Sequence, residues 1–313
     1  MILMNTTQGI RWSAAVIAAA LAMTGCSATA PSPSTETVSV TASAYPLQFL
    51  AAGVIGDAGT VTNLTPPGQE PHDLELSAQQ IAAMSQSDAV VYIPGFQATV
   101  DEAIKSAPPA LTIDVTTGLE RLVANPDGSE SVAKPGQDLS TLDPHVWLSP
   151  KDMITMAQTI NTQLSTAKPE LAKTFQANTD ALVAELTKLD TAYTTGLASC
   201  QRTEFITSHA AFGYLAHSYG LVQVPIAGLD PTQEPTAARI SEVQKLAKQY
   251  GVTTIFFETL VSPAVAQSIA GDLHLKTAVL DPIEGITSES AGTNYTEVMN
   301  SNLTALQEAN GCS

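Results

Sequence analysis

Five histidines occur in the chain, and three stand in turn-rich segments where short β-branched runs end. They are His72 in Pro71-His-Asp73, His145 in Asp143-Pro-His-Val-Trp-Leu-Ser-Pro150 and His209 in Thr207-Ser-His-Ala-Ala-Phe212. Asp281, followed by Pro282, leaves a fourth such run, Ala278-Val-Leu280. Imidazole is the commonest borderline metal ligand, and one carboxylate added to three neutral imidazoles makes a four-coordinate set suited to Zn2+. These four could therefore converge on one ion. Taken singly, each histidine is better explained as a surface or hydrogen-bonded side chain, and the weight lies in the set. Filling every tetrahedral position leaves none for a reactive water, so the chemistry is capture and release, and the chain reads as no enzyme. The competing reading is an exported zinc hydrolase. Its helical His-Glu-x-x-His is absent, and Glu258 is the one attractive base.

The neighbouring residues each carry a plainer explanation. Glu258, after the run Thr253 to Phe257, could orient a metal-bound histidine by accepting its second N–H, or could be an ordinary helix-start carboxylate. Trp147 and Phe212 read as walls that keep the site dry, or simply as core. Asp143 shapes the turn before Pro144 rather than binding an ion. His217 reads as a solvent-side residue or a cap for the turn before Gly220, and His274 ends a helix, where a cation meets the dipole favourably; neither is expected as a ligand.

The elements that must position these side chains alternate along the sequence. β-rich runs at 38–43, 61–64, 89–93, 111–115, 203–207, 253–257 and 277–280 are separated by helical patterns at 46–55, 76–84, 210–218, 239–250 and 262–273, with a last helix at 295–308. This alternation predicts an α/β fold of βαβ units with mostly parallel sheets flanked by helices, and strand ends that face a ligand crevice. Ser149-Pro150 opens a helix with a capping hydroxyl and Pro in the first turn. Residues 169–197 form a second, unusually long helical pattern that can serve as a rigid spine between two α/β halves. The expected division is a 38–167 lobe, a 168–199 linking helix and a 200–313 lobe. Residues 125–142, rich in Gly, Ser, Asp and Pro, read as a solvent loop.

The amino terminus reads as targeting sequence. Arg11 precedes an apolar run from Ser13 to Met23 that ends in Thr24-Gly25-Cys26, which resembles a bacterial lipobox. Residues 1–25 would then be a lipoprotein signal, Cys26 the lipidated residue and 26–37 a Ser/Pro/Thr-rich tether at the outer face of the cell membrane. A plain secretory signal is the alternative. Cys200 and Cys312 remain, and an even pair in an exported chain favours a disulfide over two free thiols. With 13 Lys+Arg against 30 Asp+Glu the formal charge is -17, which repels phosphate backbones and excludes nucleic acid as a natural partner.

Over nearly its whole mature length the chain resembles the metal-binding lipoproteins of the zinc and manganese ABC importers, the TroA-like and ZnuA-like (cluster A-I) solute-binding family. The matching pieces are Pro71-His72-Asp73, the motif around His145, Ser208 to Phe212, Gly228-Leu-Asp-Pro-Thr-Gln-Glu-Pro235, Phe256-Phe-Glu258 and Leu280-Asp281-Pro282. The resemblance implies two α/β lobes on a backbone helix, with His72 and His145 from the first and His209 and Asp281 from the second clasping one ion. It also implies a monomer that serves an ABC permease. A histidine at position 209, where manganese-type members often carry a carboxylate, leans toward Zn2+, with Mn2+ the alternative. The His-rich loop common in the zinc branch has no counterpart in 125–142, which holds no histidine.

Overall fold

The computed structural model describes residues 37–125 and 129–313. The signal peptide expected at 1–25, Cys26 and the tether through residue 36 lie outside them. Short strands build two parallel sheets, buried along their central strands β1, β3, β7 and β9 and partly exposed at the edges. The first begins with β1 (Val38–Ala42), and Pro46 in the first turn then starts helix α1 (Tyr45–Ile55). β2 (Gly59–Asn63) leads to α2 (Ala78–Gln86), which Ser77 and Gln80 close with a reciprocal capping box. β3 (Ala89–Tyr92), α3 (Ala98–Ser106) and β4 (Thr112–Asp114) complete a sheet of order β2-β1-β3-β4, parallel throughout.

The stretch expected to be a solvent loop is more structured than that. β5 (Leu122–Ala124) and β6 (Glu130–Val132) pair as an antiparallel hairpin, and Val123 bridges to Leu142. Runs of three residues are too short to show a period.

Ser149 then caps α4 (Pro150–Ala167), its Oγ accepting from Asp152 N. Lys168, held out of helical geometry by the following Pro169, separates it from α5 (Ala172–Gly196), so the long helix starts a turn later than its pattern suggested. The buried face of α5 is Phe175, Thr179, Leu182, Leu186, Leu189 and Tyr193, a helical spacing that packs against α1 and α4.

The second sheet follows: β7 (Glu204–Thr207), α6 (Gly213–Tyr219), β8 (Val222–Pro225), α7 (Ala237–Tyr250), β9 (Thr254–Phe257), α8 (Ala264–Leu273) and β10 (Lys276–Val279), in the parallel order β10-β9-β7-β8. α3 and β8 fall in stretches that sequence patterning left unassigned. α9 (Tyr295–Asn310) returns against α5, where Tyr193 Oη donates to Met299 O at 2.7 Å. One apolar core runs from Val40 and Val91 of the first sheet through Leu186 and Tyr193 to Phe205 and Phe256 of the second. Cys200 and Cys312 are joined by a disulfide that fastens the chain end beside the exit of α5. This is the two-lobed α/β architecture expected from the alternation of elements.

Candidate metal site

Two of the three histidines come after the carboxyl-terminal ends of parallel strands, where open α/β topology places ligands, and the third stands in the turn before α4. His72 lies in the turn after β2, His145 opens the short 3-10 turn Val146–Leu148 before α4, and His209 follows β7. All three present Nε2 to one point. His145 Nε2 is 3.3 Å from His72 Nε2 and 3.4 Å from His209 Nε2. The fourth group at that point is Glu284, whose Oε1 lies 3.1 Å from His145, 3.4 Å from His72 and 3.5 Å from His209. One ligand atom from each lies within 4.8 Å of every other, which is the only such grouping among the described residues.

Asp281, the carboxylate named from sequence, stands outside this cluster. Its Oδ1 accepts from Ile283 N at 2.8 Å, its Oδ2 accepts from Ser290 Oγ at 2.9 Å and Thr259 Oγ1 at 3.3 Å, and Asn302 pairs with its backbone. The residue is 2% exposed, so these bonds occupy it fully. It secures a turn in which Ile283 takes a left-handed φ of 57°, a costly conformation for a β-branched residue. That turn carries the longer glutamate side chain inward. Trp147 Nε1 donates to Pro282 O at 2.7 Å, and Tyr295 Oη donates to Trp147 O at 2.6 Å, so the indole holds the same turn from the other half of the chain. Trp147 is thus both wall and brace.

Each buried imidazole has its outer nitrogen assigned. His145 Nδ1 meets Asp143 Oδ1 at 2.7 Å, and the same oxygen accepts from His145 N at 2.9 Å. Asp143 therefore shapes its turn, as its position before Pro144 suggested, and also orients the ring. His209 Nδ1 meets Glu258 Oε1 at 2.8 Å, an oxygen that accepts from Ser208 Oγ at 2.6 Å. Of the two roles open to Glu258, the geometry is that of a ring-orienting acceptor. With Nδ1 taken up by a carboxylate in each case, Nε2 is the nitrogen that faces the cluster, and on losing its proton it offers a lone pair to a metal. Phe96 meets His72 edge-on at 4.8 Å and lies 5.3 Å from Trp147, which closes the apolar side. Phe212 instead packs edge-on against Phe205 in the core. His217 is more than half exposed and pairs with Glu120 at 3.4 Å, and His274 ends α8 in left-handed geometry.

Opposite charges crowd this buried site. Burial alone would raise the Glu284 carboxyl, but hydrogen bonds from His145, His209 and His72 outweigh it and hold the group well below the usual carboxylate range. Burial opposes protonation of His209, yet Glu258 and Glu284 together raise it well above the ordinary histidine value. His145 is raised too, as Asp143 and Glu284 overcome its burial. Glu70, which accepts from His72 N at 3.0 Å, is pushed up to about 8 by burial and then by the charge of Glu284. A divalent cation replacing protons at Nε2 would relieve this arrangement. Sequence reasoning passed over Glu284, Glu70 and the orienting role of Asp143. The signal for Glu284 was a second carboxylate three residues beyond Asp281, separated only by Pro-Ile.

Residues 40–309 match the family described as the periplasmic component A of the zinc-uptake complex. The chain is 38% identical over 285 residues to the zinc-binding protein AdcA of Streptococcus pyogenes, an alignment that takes in 86% of this chain and 55% of that protein. It thus spans about half the length of the AdcA proteins it matches. It is 34% identical over 280 residues to the high-affinity zinc uptake system protein ZnuA of Bacillus subtilis, 88% of each chain. The fold superposes with a TM-score of 0.73 on the Zn(II)-bound ZnuA-like domain of Streptococcus pneumoniae AdcA, at 35% identity over 88% of this chain and 99% of that domain.

Proposed function

The chain belongs to the periplasmic zinc-uptake component A family, and from that premise we propose that it captures Zn2+ outside the cell and surrenders it to the permease of an ABC importer. The observation that carries this is the convergence of three Nε2 atoms and one carboxylate oxygen on a single point, buried and apolar-walled. His72, His145, His209 and Glu284 would take the ion at roughly 2.0 to 2.2 Å and leave no position for a reactive water. Glu258, the one attractive base for a hydrolase, is engaged by His209 and Ser208, which favours a binding protein over an enzyme. Asp281 acts one turn away, by fixing the loop that delivers Glu284.

Half of the ligands precede α5 and half follow it, so a small movement of the 38–167 body against the 200–313 body, about the 168–199 helix, would open the set when a permease docks. The relatives named as lipoproteins support the reading of Cys26 as a lipid-modified anchor at the outer face of the membrane. On this reading the folded part acts as a monomer. The test is competitive titration of Zn2+ and Mn2+ into the protein starting after Cys26, with His209→Asp in parallel. One Zn2+ site that far exceeds Mn2+ in affinity and weakens in the variant supports the proposal. Equal affinity would move the cargo to manganese or to both, and no tight site would overturn it.

A further inference from the structure

The three imidazoles are not held alike. His145 and His209 each have a carboxylate at Nδ1, whereas among the described residues none stands at Nδ1 of His72. Its side chain is also the most exposed of the three, at 10%. What fixes this ring must therefore act on the turn that bears it, which Leu74 N closes by donating to Pro71 O at 3.3 Å. The first turn of α3 grips that turn on both sides of His72. Gln97, which starts α3, donates from Nε2 to Pro71 O at 3.3 Å, and Thr99 Oγ1 donates to Leu74 O at 2.6 Å. The same Gln97 amide reaches Ser43 O at 3.2 Å and Thr65 Oγ1 at 3.1 Å, just past the ends of β1 and β2. Two of its three acceptors are carbonyl oxygens, so the NH2 of Gln97, and not its Oε1, faces them. Gln97 is 2% exposed, so bulk solvent does not stand in for a lost donor.

We propose that Gln97 is a positioning residue for metal capture: together with Thr99 it ties the backbone on either side of His72 to the ends of β1 and β2, and so aims the one imidazole that no carboxylate orients. This rests on the metal-site reading above. The bonds to Pro71 O and Leu74 O act on His72 through the main chain, in the place that the Nδ1 partners Asp143 and Glu258 take for the other two rings. Phe96, the residue before Gln97, adds its edge-on contact with the His72 ring, so three residues in a row of four on one element hold this ligand.

The experiment is a double-mutant cycle read by Zn2+ titration at neutral pH. Gln97→Met keeps an unbranched side chain of similar size without a donor, and should weaken Zn2+ about tenfold, the low end of the effect of orienting partners. In a His72→Ala background the same substitution should change Zn2+ affinity less than about twofold, because the turn no longer bears a ligand. Thr99→Val, which removes the bond to Leu74 O, should likewise weaken Zn2+ only where His72 is present. Equal weakening with and without His72 would make Gln97 a general packing residue and overturn the inference, as would a Gln97→Met protein that binds Zn2+ as tightly as wild type. The Thr99→Val cycle decides the question alone if Gln97→Met does not fold. Wild type that binds no Zn2+ would instead sink the capture reading itself.

Discussion

Glu284→Gln separates the two carboxylates that the sequence left side by side. Glu284 is fully buried and touches all three imidazoles, at 3.1 to 3.5 Å, whereas Asp281 bonds only to its own loop and to Thr259, Ser290 and Asn302. Removing one partner from a buried, hydrogen-bonded charged set costs about 2–4 kcal/mol. Part of the gross loss is offset, because without Glu284 the histidines hold their competing protons less tightly. At about 1.4 kcal/mol per tenfold, Glu284→Gln should weaken Zn2+ by roughly 30- to 700-fold. Asp281→Asn keeps an acceptor for Ile283 N but cannot accept from both hydroxyls, so its cost falls on stability, about 1–3 kcal/mol, with Zn2+ affinity changed less than about tenfold. Competition against a chromophoric chelator reads affinity, and thermal unfolding of the metal-free variants reads stability. A larger affinity loss in Asp281→Asn than in Glu284→Gln, with both folded, would refute the assignment.

Zn2+ affinity should rise with pH through and beyond about 6.5, the unperturbed histidine value, because His209 and His145 hold protons above it in the metal-free protein; titrations in buffers of different ionisation enthalpy should show proton release. The metal-free protein should behave oppositely. The raised histidines stabilise it below their unfolded pKa and lose that contribution as pH rises through the folded value, while the lowered Glu284 contributes above about 4.3 and is lost in acid. Its melting temperature should therefore fall on going from mildly acidic to alkaline buffer. Trp147→Phe, which orphans Pro282 O, should cost about 1–3 kcal/mol in unfolding free energy and also weaken Zn2+, since the Glu284 turn loses its brace. Replacing Cys200 and Cys312 together by Ser opens a closure across a separation of 112 residues and should cost about 2–5 kcal/mol in denaturant unfolding, with Zn2+ affinity retained.

The alternation of β-branched runs and helical stripes carried the α/β class and the long α5, and Ser149-Pro150 marked the start of α4, because these depend on local chemistry. Three of the four clustered side chains were legible from local sequence: His72 and His209 come after strands of the parallel sheets, and His145 stands in the distinctive turn motif before the Ser149 cap of α4. The carboxylate was not. Asp281 sits where a strand-end ligand should, and only the left-handed turn at Ile283, imposed by tertiary bonds to Thr259, Ser290 and Trp147, hands the position to Glu284.

X-ray absorption at the zinc edge, on protein loaded with one equivalent of Zn2+ at neutral pH, tests the central claim most directly. The account predicts a four-coordinate ion with three imidazole nitrogens and one carboxylate oxygen, and a spectrum that changes in Glu284→Gln but not in Asp281→Asn. A spectrum dominated by water oxygens, or one that changes only when Asp281 is replaced, would contradict it.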